Sequence, residues 1–116
     1  MLIYLAGPMR GLPSFNFPAF DAAAEKLRGE GHMVFNPADR DREVHGDAVS
    51  DSPTGNLDDI KDTGFNLREA LHADTSFICL EAEAIALLPG WMQSKGATAE
   101  YALARALDLE VFLLED

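Results

Sequence analysis

The chain has 116 residues, 47% of them hydrophobic, which suits one compact domain, residues 1–116, with a real core and no room for a second. Its formal net charge of −11 argues against a nucleic-acid polymer or an anionic membrane as partner, since both are held by clustered Lys and Arg; a small anionic ligand gripped by a few focused donors stays open. The one cysteine, Cys79, excludes an internal disulfide, and His32, His45 and His72 show no zinc-like spacing with it, so neither a metal nor a cofactor is expected.

Four continuous apolar runs, Leu2 to Ala6, Met33 to Phe35, Ala84 to Leu88 and Val111 to Leu114, predict strands buried on both faces of a parallel sheet. None approaches the roughly 18 residues of a membrane span. Met1-Leu2-Ile3-Tyr4 enters a strand without the basic lead of a signal peptide, and a cytoplasmic protein is expected. The first strand ends in Gly7-Pro8-Met9-Arg10-Gly11, at the carboxyl edge where such sheets bind ligands. Gly7 and Gly11 permit close backbone approach. Arg10 offers a bidentate fork to a phosphate or carboxylate, or is a solvated arginine in a tight turn. It is not a Walker loop, because no Gly-Lys-Ser/Thr follows.

The first helix is predicted from Asn16 as N-cap, with Pro18 in its first turn, Phe17, Phe20, Ala24 and Leu27 facing inward, and Gly29 and Gly31 as its stop. Tyr4, Phe15 and Phe17 offer rings to a planar ligand; the alternatives are core packing for Tyr4 and a hydrophobic staple for the two phenylalanines. The second strand ends in Asn36-Pro37-Ala38, where the Asn36 amide reads a base or sugar hydroxyl, or fixes the turn. Residues 37–56 hold Pro37, Gly46, Pro53 and Gly55 among many Asp, Arg and Ser, and read as a long polar loop of the kind that forms lids and binding loops.

Asn56 then caps a helical stretch with Asp58 and Asp59 in its first turn, broken at Gly64. At roughly 100° per residue, Leu67, Leu71 and Ile78 form one stripe, and Asp74 falls within about 20° of it. Asp74 thus faces inward, either as an acid of a site or as a cap or a partner of Arg68 or Arg10. The last helix runs from Lys95 to Leu107. Within it Glu100 lies in an arc of about 60° with Gly96, Leu103, Ala104 and Leu107, opposite Lys95, Thr98 and Arg105. A carboxylate pointing at the core is costly unless paired, hydrogen-bonded or facing a ligand. Ser94 opens this helix as an ordinary N-cap or as an anion anchor, and Trp91 before it is a ligand wall or a subunit contact. Strand and helix alternate throughout, which predicts a three-layer α/β/α fold, Rossmann-like or flavodoxin-like, on a four- to five-stranded parallel sheet. Two inward acids on separate helices, Asp74 and Glu100, are the minimum kit for glycosidic-bond chemistry.

The segments Tyr4-Leu5-Ala6-Gly7-Pro8-Met9-Arg10-Gly11, Asn16-Phe17-Pro18-Ala19-Phe20, Gly31-His32-Met33-Val34-Phe35-Asn36-Pro37-Ala38 and Leu87-Leu88-Pro89-Gly90-Trp91-Met92-Gln93-Ser94-Lys95-Gly96-Ala97-Thr98-Ala99-Glu100 span nearly the whole chain. Together they resemble the nucleoside 2-deoxyribosyltransferase-like superfamily, most closely its small phage and bacterial branch of DUF4406-like domains. The resemblance implies that Glu100 attacks C1′ of a deoxyribonucleoside and that Ser94 binds a 5′-phosphate, with the Arg10 turn on the same side. Asp74 is taken as the helper acid, and Tyr4, Gly7, Met9, Arg10, Gly11, Asn16, Asn36, Trp91, Ser94 and Gly96 as the candidate substrate-binding positions.

The implied mechanism is retaining: a glycosyl-enzyme forms on Glu100 and is resolved by water or a second base. Two departures stand out. The family often carries Asp where this chain has Glu83, whose longer arm displaces the carboxylate, and the chain stops after the fourth or fifth strand, without the tail that reaches a neighbour's site in the full-length transferases. The expected function is cleavage or exchange of the N-glycosidic bond of a nucleoside 5′-monophosphate. The rivals are a non-catalytic nucleotide-binding or sensor protein and an interaction module using Trp91 and the acidic surface. A homodimer or larger homo-oligomer is expected.

Overall fold

The four apolar runs pair into one parallel sheet, in the order β2-β1-β3-β4, in a computed structural model that describes residues 1–115. The strands are β1 (Leu2–Ala6), β2 (Met33–Phe35), β3 (Ala84–Leu87) and β4 (Glu110–Leu113). Tyr4 stands beside Phe35 on one side and Ile85 on the other, and Ile85 beside Val111. Because side chains alternate along a strand, the sheet has two apolar faces. Ile3, Leu5, Ala84 and Ala86 pack against Phe17, Phe20, Ala24 and Leu27 of α1 (Phe17–Gly29). Tyr4, Ala6, Ile85 and Leu87 pack against Ile78 of α3 (Leu67–Leu80) and Ala97 and Ala104 of α4 (Lys95–Ala106). This is the expected three-layer, Rossmann-like α/β/α arrangement, on four strands. Among the described residues, no helix is long and apolar enough to cross a membrane.

The chain leaves β1 toward β2 on one side and later returns to place β3 on the other. That reversal opens a crevice beyond the carboxyl ends of β1 and β3, where open α/β sheets bind ligands.

Three expectations need correction. Residues 37–56 are not one loop, because Pro37–His45 form a helix, α2. Asn36 starts it by accepting the Ala38 N–H at 3.0 Å, Pro37 occupies the first turn, and Asp39 and Arg42 sit at the ends that suit their charge. Arg28–Asp39 at 3.0 Å, Arg42–Asp39 at 3.1 Å and an Arg42–Asp21 pair tie its polar face down. Nothing about it is amphipathic in the usual way, so apolar periodicity cannot find it. The stretch after Asn56 is a single 3₁₀ turn, Leu57–Ile60, capped by Asn56 as expected.

Asn16 marks the start of α1 but does not cap it with its side chain. Its Nδ2 donates instead to the Pro8 carbonyl at 2.9 Å. Ser14, Phe15 and Asn16 in succession take left-handed backbone angles, with φ of 56°, 50° and 63°, a costly arrangement that the surroundings must hold in place. The holding segment is 46–56: Ser14 N donates to Ser52 O at 2.8 Å and Gly11 N to Gly55 O at 2.9 Å. Gly55 comes so close that a Cβ there would lie 2.1 Å from the Leu12 carbonyl oxygen.

Candidate active site

Tyr4 is in the middle of β1 and 1% exposed, with its ring against Phe35 at 5.5 Å. Its hydroxyl reaches across the face and donates to Oε2 of Glu100 at 2.6 Å. Glu100 lies one turn inside α4, on the face that also buries Ala97 and Ala104, and is 7% exposed. Burial pushes its carboxyl up to about 8, a rise that the Tyr4 hydrogen bond opposes and the charge of Asp74 reinforces. The Tyr4 hydroxyl, desolvated and facing two acids, is itself held well above the usual phenol range.

Asp74 approaches from α3, where its Oδ1 is buried and has no hydrogen-bond partner among the described residues. Desolvation first, and then the neighbouring charge of Asp41, push its carboxyl up to about 7. Tyr4 has one hydrogen to give, and it goes to Glu100. Asp74 in its neutral form is therefore a donor looking for an acceptor, next to a carboxyl that already accepts from Tyr4. The charge of Asp74 is among the causes that raise Glu100, so the ionisation of one acid disfavours that of the other.

These groups wall a cavity of about 100 Å³. Gly7, Met9 and Arg10 enter it from the β1 end, and Ser94, Gly96 and Ala97 from the start of α4. Ser94 Oγ accepts the Ala97 N–H at 3.1 Å, so the serine caps α4 while facing the cavity. Arg10 is exposed and forms no ion pair among the described residues. A second, open hollow on the surface is lined by Pro8, Arg10, Gly11, Gln93, Ser94 and Lys95. The two hollows share Arg10 and Ser94, where a guanidinium and the positive end of a twelve-residue helix converge.

Eight of the twelve predicted site residues thus line one cavity: Tyr4, Gly7, Met9, Arg10, Asp74, Ser94, Gly96 and Glu100. Gly11 lines the outer hollow. Asn36, Asn16 and Trp91 are not on either wall. Asn36 is spent on structure, capping α2 and donating to Asp21 at 3.1 Å, and Asn16 holds Pro8. Trp91 packs its ring on Tyr101 at 4.7 Å, and both lie against the core on the α4 face of the sheet. Phe15 lines the cavity, whereas Phe17 is core with the Arg42 guanidinium 5.1 Å from its ring centre. Glu83 accepts the Leu2 N–H at 2.7 Å at the amino end of the sheet, opposite the cavity, so its position supplies no acid there.

Sequence reasoning missed Asp41. It is 6% exposed, projects from α2 onto the cavity wall, and pairs with Arg40 at 3.3 Å. Burial raises its carboxyl, against the pull of Arg40. Pro37, Ala38 and Asp41 are the buried positions of α2, one helical face with an acid on it, but that face carries too few apolar residues to leave a stripe in the sequence. Among the described residues, no group of three or more His, Cys, Asp or Glu is placed to hold a metal ion.

Compared with known proteins, residues 1–113 match the family model of a domain of unknown function (DUF4406). No curated protein matches the chain.

Proposed function

The chain belongs to the DUF4406 family, and from its site chemistry we propose that it cleaves or exchanges the N-glycosidic bond of a nucleoside 5′-monophosphate, as a member of the nucleoside 2-deoxyribosyltransferase-like superfamily. The observation that carries the reading is the 2.6 Å bond from Tyr4 to Glu100 beside a second buried acid, Asp74, on one cavity wall. A protein that needed only packing at this point would not bury two ionisable groups and leave one oxygen unpartnered.

In the reaction, Glu100 attacks C1′ as the carboxylate, and a C1′–O bond forms as the C1′–N bond breaks. The electron pair of the broken bond leaves with the base, which takes the Asp74 proton. Asp74, now ionised, accepts a proton from water as the water oxygen attacks C1′ and releases Glu100; a second base in place of water gives exchange. The pair titrates at about 7 and about 8, so between those values it holds one proton. In the free protein that proton rests on Glu100, the weaker of the two acids; chemistry needs it on Asp74 and the charge on Glu100, a redistribution the Tyr4 hydroxyl assists because it donates to Glu100. Arg10, with the start of α4 at Ser94, takes the phosphate in the hollow that adjoins the cavity.

The test is direct. The protein is incubated with a panel of ribo- and deoxyribonucleoside 5′-monophosphates, and free base is followed by chromatography. Release from at least one member, lost in Glu100→Ala with an unchanged circular dichroism spectrum, is the expected result. Tight binding without release from any member supports instead a nucleotide-binding protein and sinks the enzymatic reading.

A further inference from the structure

On the reading that a ligand of nucleotide size reacts at Glu100, we propose that residues 46–64 are a lid, hinged at Gly46 and Gly64, which swings away from the β1–α1 turn to admit that ligand and closes over it. The cavity measures about 100 Å³, whereas pockets that hold drug-sized ligands run to about 300–1,000 Å³. Glu100 and Tyr4 are 7% and 1% exposed, so a ligand reaches the reacting oxygens only if a wall moves. Most of the wall belongs to the sheet and its helices, regular elements packed on one another. The part that belongs to none of them includes Val49 and Leu57. These come from segment 46–64, which holds no strand and one four-residue 3₁₀ turn.

The attachment of this segment suits a single movement. Its two ends meet: a Cβ on Gly64 would lie 4.0 Å from Cε1 of His45, the residue before Gly46, and the rings of His45 and Phe65 meet at an angle with centres 5.7 Å apart. The residues between leave and rejoin the body at one place, and a rotation there carries them together. Gly46 and Gly64 have φ of 63° and 84°, and glycine absorbs the change of backbone angle that a hinge demands. Away from the hinge, the segment is held by the bonds from Gly11 N and Ser14 N to the Gly55 and Ser52 carbonyls, and by Val49 and Ile60, both 1% exposed. Among the described residues, no ion pair joins it to the body. Its tip is stiffened from within: Asp59 accepts the hydroxyls of Ser52 at 2.7 Å and Thr54 at 2.6 Å, and Ser52 Oγ accepts the Gly55 N–H at 3.0 Å. A tip rigid in itself and attached by few bonds opens as a unit, at a cost well short of unfolding. Its closure excludes water from the reacting pair, and the two bonds that shut it also fix the turn that carries Arg10.

Two measurements that need no nucleotide test this. In native-state hydrogen exchange, the amides of Gly11 and Ser14 report release of the lid. Both are expected to exchange at least about tenfold faster than the amides of β1, and with equal protection, because one event frees both. Asp59→Ala unties Ser52 and Thr54 and should speed both by one common factor. In a Cys79→Ser background, Ala97→Cys places a thiol on the cavity wall. Its alkylation by iodoacetamide should be far slower than that of the exposed Cys79 in the wild type, and Asp59→Ala should raise it by the factor seen in exchange. Exchange at Gly11 and Ser14 as slow as in β1 overturns the lid. Faster exchange with alkylation unchanged also overturns it, since the segment is then loose but gates nothing. Exchange in the wild type decides even if a variant fails to fold. Base release tests the glycosidic reading separately: a lid that opens on a protein that releases no base removes the reaction and leaves the lid, and base release without independent opening does the reverse.

Discussion

Glu100→Gln preserves the length of the side chain and an oxygen for the Tyr4 hydroxyl while removing the ionisable group, so it isolates the cost of burying that charge. In the unfolded chain this glutamate ionises near 4.5, and in the folded chain near 8. Below pH 4.5 both states carry it neutral and the site exacts no penalty. As pH rises toward 8, the unfolded state releases the proton and the folded state retains it, so stability falls by about 1.4 kcal/mol per pH unit. Across the window the loss reaches at most about 5 kcal/mol, a large share of what a domain of this size has. The variant has no such slope, but its buried amide N–H groups need partners, at about 1–3 kcal/mol at every pH. The two stability curves should therefore cross, with the wild type level or ahead at pH 5 and the variant ahead at pH 8. Urea unfolding at pH 5, 6, 7 and 8, followed through the single tryptophan Trp91, reads the difference. A relative shift of about 2 kcal/mol or more toward the variant, with base release absent throughout, is expected. Parallel curves across that range would refute the burial argument for Glu100.

Asp74→Asn removes the acid and should lower base release by about 10²- to 10⁴-fold with little change in nucleotide binding. The wild-type rate should follow a bell in pH centred between about 7 and about 8, where the pair holds one proton; a rate flat from pH 6 to 9 counts against the shared proton. Ser94→Ala loses the cap on the Ala97 N–H and should cost about 1 kcal/mol in denaturant unfolding, and it should raise KM for nucleoside monophosphates more than for the nucleosides. Gly55→Ala forces a Cβ against the Leu12 carbonyl at a φ of +72° and should lower stability by about 2 kcal/mol or more; a variant as stable as the wild type would show that segment 46–56 does not sit against the β1–α1 turn.

What the sequence disclosed followed from periodicity. The four strands lie within a residue or two of the apolar runs, and α1 and α4 end where their glycines and polar faces say. The inward aim of Glu100 is visible from angular arithmetic alone, because α4 is a regular helix packed on a sheet. Asp74 is found the same way on α3. Its neighbour Asp41 is not, since α2 is fixed by a cap, a proline and ion pairs with Asp21 and Arg28 of α1, none of which leaves an apolar stripe. The partner of Glu100 was also hidden. Tyr4 reads as core or as a stacking ring from sequence, and only the sheet register that sets β1 beside β3, with α4 over that face, brings its hydroxyl to the carboxylate. The same contingency displaces Trp91 and Asn36, whose residue types suit a binding site but whose local contacts claim them first.

The sheet ends on β2, of three residues, and β4, of four, and among the described residues neither edge is paired. Met33 and Leu113 stand on these edge strands 71% and 67% exposed, the kind of apolar edge that can template the addition of a foreign strand. The brevity of the strands is the safeguard: so few free N–H and C=O groups give a newcomer little to hold, against the mutual repulsion of chains that each carry a charge of −11.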